Sequence, residues 1–188
     1  MGRIVVTEYI SVDGVVEAPS GTETFERIGW TDDFSRGPEG DAFKFDETMA
    51  SDALLLGRVT YDGFAPVWPH VEGEFGDKFN SMPKYVVSST LENPEWNNTT
   101  VLHGDVVEEV AKLKEQYERD IVVHGSPQLV QTLIEHDLVD ELRLLVYPVV
   151  VGAGKRLFGE TSQKQNLRLI ETSTFDDGVH LLVYRPAS

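Results

Sequence analysis

The chain has 188 residues and no cysteine. That excludes disulfides, thiolate zinc sites and cysteine nucleophiles. The five histidines are scattered, with no paired-ligand spacing, so no metal centre is expected. Nothing approaches the roughly 18 consecutive apolar residues of a membrane span. The opening "MGRIVVTEYISVDG" lacks the basic, apolar and cleavage segments of a secretory signal. A cytoplasmic location with no membrane partner is expected. Basic residues are scarce: 16 Lys and Arg stand against 32 Asp and Glu, a formal charge of −16. Such a field disfavours nucleic acid. It also makes any anion site depend on local dipoles and a few basic side chains.

What is present is ordinary for a folded protein, with 40% hydrophobic residues. The hydrophobic pattern alternates between strand and helix periods. Strands are predicted at Arg3 to Ile10, Asp52 to Gly57, Lys84 to Thr90 and over "DIVVHG" and "DELRLLVYPVVVG". A hairpin is predicted over "LRLIETSTFDDGVHLLVYR", turning at Asp176-Asp177-Gly178. "DVVEEVAKLKEQYE" is an amphipathic helix, with Val106, Val110, Leu113 and Tyr117 on one face. "SPQLVQTLIEHD" is another, and "DAFKFDETMAS" a less regular third. Residues 17–40 form a long loop rich in Gly, Pro and acids. The alternation predicts one α/β domain over residues 1–188, mostly parallel in its sheet and closed by antiparallel strands.

Three predicted strands end in groups that suit an anion. In "IVVHGSPQLVQTL", Gly125 permits a sharp turn, Ser126 suits a helix cap, and Pro127 fits the first helical position. The unpaired N–H groups and dipole of such a helix start favour phosphate. In "LLLGRVTYDGF", Gly57 is followed by Arg58, whose planar fork matches phosphate, and by Thr60. Ser88 and Ser89 close the strand "KYVVSST". Parallel strand ends share one edge, so the three groups reinforce one another. Simple turn chemistry is the alternative for each.

These segments, in this order, resemble the dihydrofolate reductase-like superfamily. With "SVDG" and "PVVVGAGKRLF" they look most like stand-alone relatives of the reductase domain of the riboflavin-biosynthesis deaminase/reductase. The resemblance implies a three-layer fold and NADPH as cofactor. It implies that Gly57, Arg58 and Thr60 hold the adenosine-side phosphates, that Ser88 and Ser89 approach the ribose 2′-phosphate, and that Gly125 and Ser126 hold the pyrophosphate. Relatives usually carry Gly where Ser126 stands. It further implies a small-molecule substrate, homodimerisation, and a carboxylate on the helix before the Gly-Arg strand. Asp41, 16 residues before Gly57, takes that place; Asp46 on the same helix competes. Phe45 would flank a planar substrate ring. Asp13 is expected to fix the turn after the first strand. "GAGKRLFG" lacks the P-loop pattern, but its Lys155 and Arg156 suit an anionic substrate. A non-catalytic nucleotide-binding protein of the same fold, or a flavin in the same cleft, stays open as an alternative.

Overall fold

The computed structural model describes residues 1–21 and 24–187, so Thr22 and Glu23 of the long loop lie outside it. The order of elements is β1 (Arg3–Ser11), α1 (Gly37–Ala50), β2 (Ser51–Gly57), α2 (Arg58–Phe64), α3 (Glu74–Ser81), β3 (Lys84–Val87), β4 (Thr99–Leu102), α4 (Val106–Gln116), β5 (Asp120–His124), α5 (Pro127–Glu135), β6 (Glu141–Tyr147), β7 (Leu167–Thr174) and β8 (His180–Pro186). The strands make one eight-stranded sheet ordered β4-β3-β2-β5-β1-β6-β8-β7. Pairs from β4 through to β6 are parallel; β6–β8 and β8–β7 are antiparallel. This is a three-layer α/β architecture.

Alternation along the buried strands divides the core. Ile4, Val6, Leu55, Ile121 and Val123 pack under α4 and α5, meeting Val110, Leu113, Val130 and Leu133. Leu54, Leu56, Val86 and Val122 face the other way, against Tyr61 of α2 and Phe79 of α3. Full burial of each such aliphatic side chain contributes about 1.5–3 kcal/mol. The central strands are therefore fixed from both sides, and their carboxyl ends are presented in register.

Some boundaries differ from expectation. The strand predicted to reach Thr90 stops at Val87, because Ser88 Oγ accepts the N–H groups of Thr90 and Leu91 and closes a turn. Helix α1 starts at Gly37, a turn before Asp41, with Pro38 in its first turn. The strand predicted through Gly152 ends at Tyr147, just before Pro148. Helix α3 and strand β4 escaped the sequence pattern. One is short and follows Gly73; the other is a four-residue edge strand.

The amino ends of the central strands carry a dense ion-pair network. Arg143 donates to Asp120 (2.9 Å), Glu141 (2.7 Å) and Glu47 (3.2 Å). Arg3 joins Asp120 and Glu141, and Arg185 joins Glu141. Lys84, fully buried at the start of β3, has no carboxylate. Its Nζ donates to the carbonyls of Asn80, Met82 and Asn97 at 2.6, 2.8 and 3.2 Å and stands 4.5 Å from the Trp96 ring. Burial lowers its pKa to about 8.

Candidate functional site

A cleft of about 760 Å³ opens at the carboxyl ends of β1, β2 and β5. Open α/β sheets bind ligands in this position. Gly57, Arg58, Thr60, Gly125 and Ser126 all line it, as do Asp41 and Phe45 of α1. Ser88 and Ser89 do not; Ser88 Oγ is engaged within its own turn.

The two Gly turns are joined directly. Ser126 holds the cap position of α5, but its backbone is left-handed (φ 60°, ψ 46°) and its side chain makes no capping bond. That corrects the expectation of a side-chain cap. Its Oγ instead accepts the Gly57 N–H at 2.8 Å and stands 2.9 Å from Thr60 Oγ1 and 3.1 Å from the His124 carbonyl. The Ser126 N–H donates to the same Thr60 oxygen at 2.9 Å. A left-handed residue with a β-carbon costs roughly 1–2 kcal/mol. The bonds made by this hydroxyl offset that cost, which explains how Ser occupies a position suited to Gly. Gly125 is also left-handed (φ 56°), and a β-carbon there would stand 2.9 Å from Thr60 Oγ1. No larger residue fits without moving the joint.

Arg58 is aimed by Asp62, whose two oxygens each accept its Nε at 2.9 Å, and by Thr90 Oγ1 at 3.2 Å. Lys155 lines the cleft, as expected for a group that meets an anion. Arg156 does not; it donates to the Asp13 carbonyl at 2.9 Å and braces the turn after β1. Asp13 itself accepts Ser11 Oγ (2.6 Å) and the N–H groups of Val151 (3.0 Å) and Gly152 (2.8 Å). The Ser11 hydroxyl and these N–H groups hold its pKa at about 2. Around the cleft, Arg36, Lys44, Arg58 and Lys155 outnumber the carboxyls Glu8, Glu17 and Asp41. The local balance thus opposes the chain's net charge of −16.

Of the two acids expected on α1, Asp46 is exposed and does not line the cleft. Asp41 stands at the mouth, with its side chain 67% exposed and 2.8 Å from Arg36 Nε. Arg36 also donates to the Tyr9 hydroxyl at 2.5 Å. Deeper in, Lys44 donates to Thr7 Oγ1 at 2.9 Å and pairs with Glu47, which Arg143 holds from behind. Burial pushes the Glu47 carboxyl up, but Lys44, His124 and Arg143 outweigh it and its pKa is lowered. His124 is driven down to about 3 by burial and then by Lys44. Its ring packs against Phe64 and Phe79 as a neutral aromatic.

The sequence reading missed Glu8. This acid lines the cleft, is 5% exposed, and has a buried Oε1 with no hydrogen-bond partner among the described residues. Burial raises its pKa well above the ordinary 4.5, against the opposing pull of Lys44 and the Gly125 N–H. A signal was present: in a strand buried on both faces, period two groups Glu8 with Ile4, Val6 and Ile10.

Fold and cleft together define an α/β protein of the dihydrofolate reductase-like class. Solved structures share the fold. One is a Shewanella sp. PV-4 protein named for riboflavin biosynthesis, with TM-score 0.79, 19% identity and 99% of each chain covered. Another is the dihydrofolate reductase of Enterococcus faecalis, solved with NADP(H), with TM-score 0.61, 17% identity, and 99% of this chain and 97% of that one covered. The model of the RibD C-terminal domain matches residues 3–181, and the chain belongs to that family. The Bacillus subtilis protein YyaP is 32% identical over 97% of this chain and 94% of its own length.

Proposed function

We propose that this protein is an NADPH-dependent reductase that passes hydride to a small pterin- or pyrimidine-like heterocycle. The observation that carries this is the joint between the two strand-end turns. Thr60 and Ser126 lock Gly57-Arg58 beside Gly125-Ser126 on one wall of the cleft. The two turns, the start of α5 and an oriented guanidinium side by side suit the phosphates of a dinucleotide. Ser88 and Ser89 would reach a 2′-phosphate only if it extended past Arg58 toward Thr90. The substrate ring would sit over β1 near Phe45 and Lys44, and Asp41 is proposed as the acid that exchanges the proton. Hydride comes from the cofactor when it is bound; the chain's own residues orient the ring and exclude water.

Titrating NADPH while following quenching of Trp68, which lines the cleft, tests the cofactor. NADPH oxidation against a panel of dihydropterins and aminopyrimidines then tests turnover. No quenching at millimolar NADPH would remove the proposal. A second interpretation, nucleotide binding without turnover, is favoured by the exposure of Asp41 and its bond to Arg36. Binding without oxidation across the panel would select it.

We also propose that the protein works in the cytoplasm, as one domain, and as a homodimer paired along β7. That edge strand is exposed along most of its length and shows Leu167, Leu169 and Ile170 at 40, 48 and 41% exposure. An unpaired apolar edge invites strand or face pairing. Sedimentation equilibrium giving monomer alone would remove the dimer. Among the described residues no helix is long and apolar enough to cross a membrane.

A further inference from the structure

Glu8 stands just past the last β1–β5 pair, Thr7 with His124, so its neighbour on that side is the Gly125 turn and no longer a strand. Its side chain belongs to the face that carries α5, in series with Val6 and Ile10. Across β6 its partner is Leu144, which is apolar. His124 of β5, held neutral by burial, turns its ring to the opposite face, against Phe64 and Phe79. From α1 come Lys44 and Glu47, whose charges are already matched to each other. Helix α5 offers no charged side chain in its first turn. Arg36, Arg58 and Lys155 are the other cations of the cleft, and Glu17 and Asp41 its other carboxyls. Glu8 therefore faces the Gly125 N–H, with Oε1 buried and unbonded among the described residues. A buried carboxylate left without a partner is costly, and native structures rarely keep one without use.

Resting on the nucleotide assignment above, we propose that Glu8 is a residue of the anion site that must carry a proton when phosphate docks on the Gly125–Ser126 turn, making cofactor binding proton-linked. The physical cause is competition. An ionised Glu8 and a phosphate would both draw on the Gly125 N–H and the same local field, and two negative charges in contact range disfavour each other. A protonated Glu8 removes that repulsion. The bound anion in turn holds the proton on Glu8, so the coupling is reciprocal.

The test uses the intact protein and NADPH. Affinity is measured by Trp quenching at stepped pH from about 7 upward, above the second phosphate ionisation near 6. The expected result is a loss of affinity of up to about tenfold per pH unit in the wild type. Glu8→Gln, neutral and nearly isosteric, should bind with little dependence on pH. Titration calorimetry in two buffers of different ionisation enthalpy counts the protons directly. Uptake approaching one proton is expected in the wild type within the sloping window, and none in Glu8→Gln. Because the wild-type proton count stands alone, misfolding of the variant would not blur the outcome. Binding of NADPH with no proton uptake at any pH, or an unchanged slope in Glu8→Gln, overturns the role of Glu8 and leaves the cofactor assignment standing. No NADPH binding at any pH overturns the cofactor assignment and the coupling together.

Discussion

The two ends of the central strands treat buried charge in opposite ways. At the amino ends, β1, β5 and β6 begin with Arg3, Asp120 and Glu141, and Arg143 and Arg185 complete the pairing. At the carboxyl ends, Glu8 is buried with an oxygen that has no hydrogen-bond partner among the described residues. Matched buried charge contributes little net stability but is costly to break. An unpartnered buried carboxyl is a standing cost. The first pattern is architecture; the second is the basis of the role proposed for Glu8.

The sharpest way to break the contrast is at Arg143. Arg143→Met removes the cation that Asp120, Glu141 and Glu47 share and leaves them to Arg3, Arg185 and Lys44, and a loss of about 3–5 kcal/mol is expected in urea unfolding at neutral pH. A loss under about 1 kcal/mol would mean the network is solvated. Lys84 supplies an intermediate case, a buried cation matched only by carbonyls. Lys84→Met leaves those carbonyls unsatisfied, and about 1–3 kcal/mol should be lost. In the wild type, the folded chain releases the Lys84 proton near pH 8 and the unfolded chain near 10.5. The unfolded state binds more protons in that window, so the Lys84 contribution to stability rises with pH there. Urea midpoints for wild type and Lys84→Met should therefore draw further apart as pH rises from about 8 toward 10.5.

Glu8 titrates with the opposite sign. Its folded pKa lies above the ordinary 4.5, so its contribution is complete below that value and is lost as pH rises through the folded pKa. Glu8→Gln should flatten this part of the stability profile without lowering stability at neutral pH. A steeper profile in the variant would sink the assignment. Asp41 defines the small end of the scale. Asp41→Asn removes one exposed pair with Arg36, and a change within about 1 kcal/mol is expected by thermal unfolding.

Much of this was legible in the chain itself. Apolar runs buried on both faces announced the parallel strands, and Gly57-Arg58 and Gly125-Ser126 marked the ends that meet in the cleft. The acid was harder. A carboxylate on α1 was sought by its spacing from Gly57, yet spacing along the chain says nothing of exposure, and Asp41 proved to sit at the mouth. Glu8 was hidden by the habit of reading a polar residue in a strand as solvent-facing. Ser126 was legible as a residue type suited to capping, but its backbone angles depend on Thr60 and Gly57, 66 and 69 residues away. Long-range hydrogen bonds of that kind leave no local pattern.

The Ser126–Thr60 joint also bears on when the cleft comes into being. Its partners are distant in the chain, and they meet only once β2 and β5 are neighbours in the sheet. Loop closure over such separations comes late in folding, after local contacts have formed. This wall of the cleft is therefore assembled by the same event that closes the middle of the sheet. A partly folded chain has no half-formed site to offer, and a ligand that docks there holds the two halves of the parallel sheet together like a pin through a hinge.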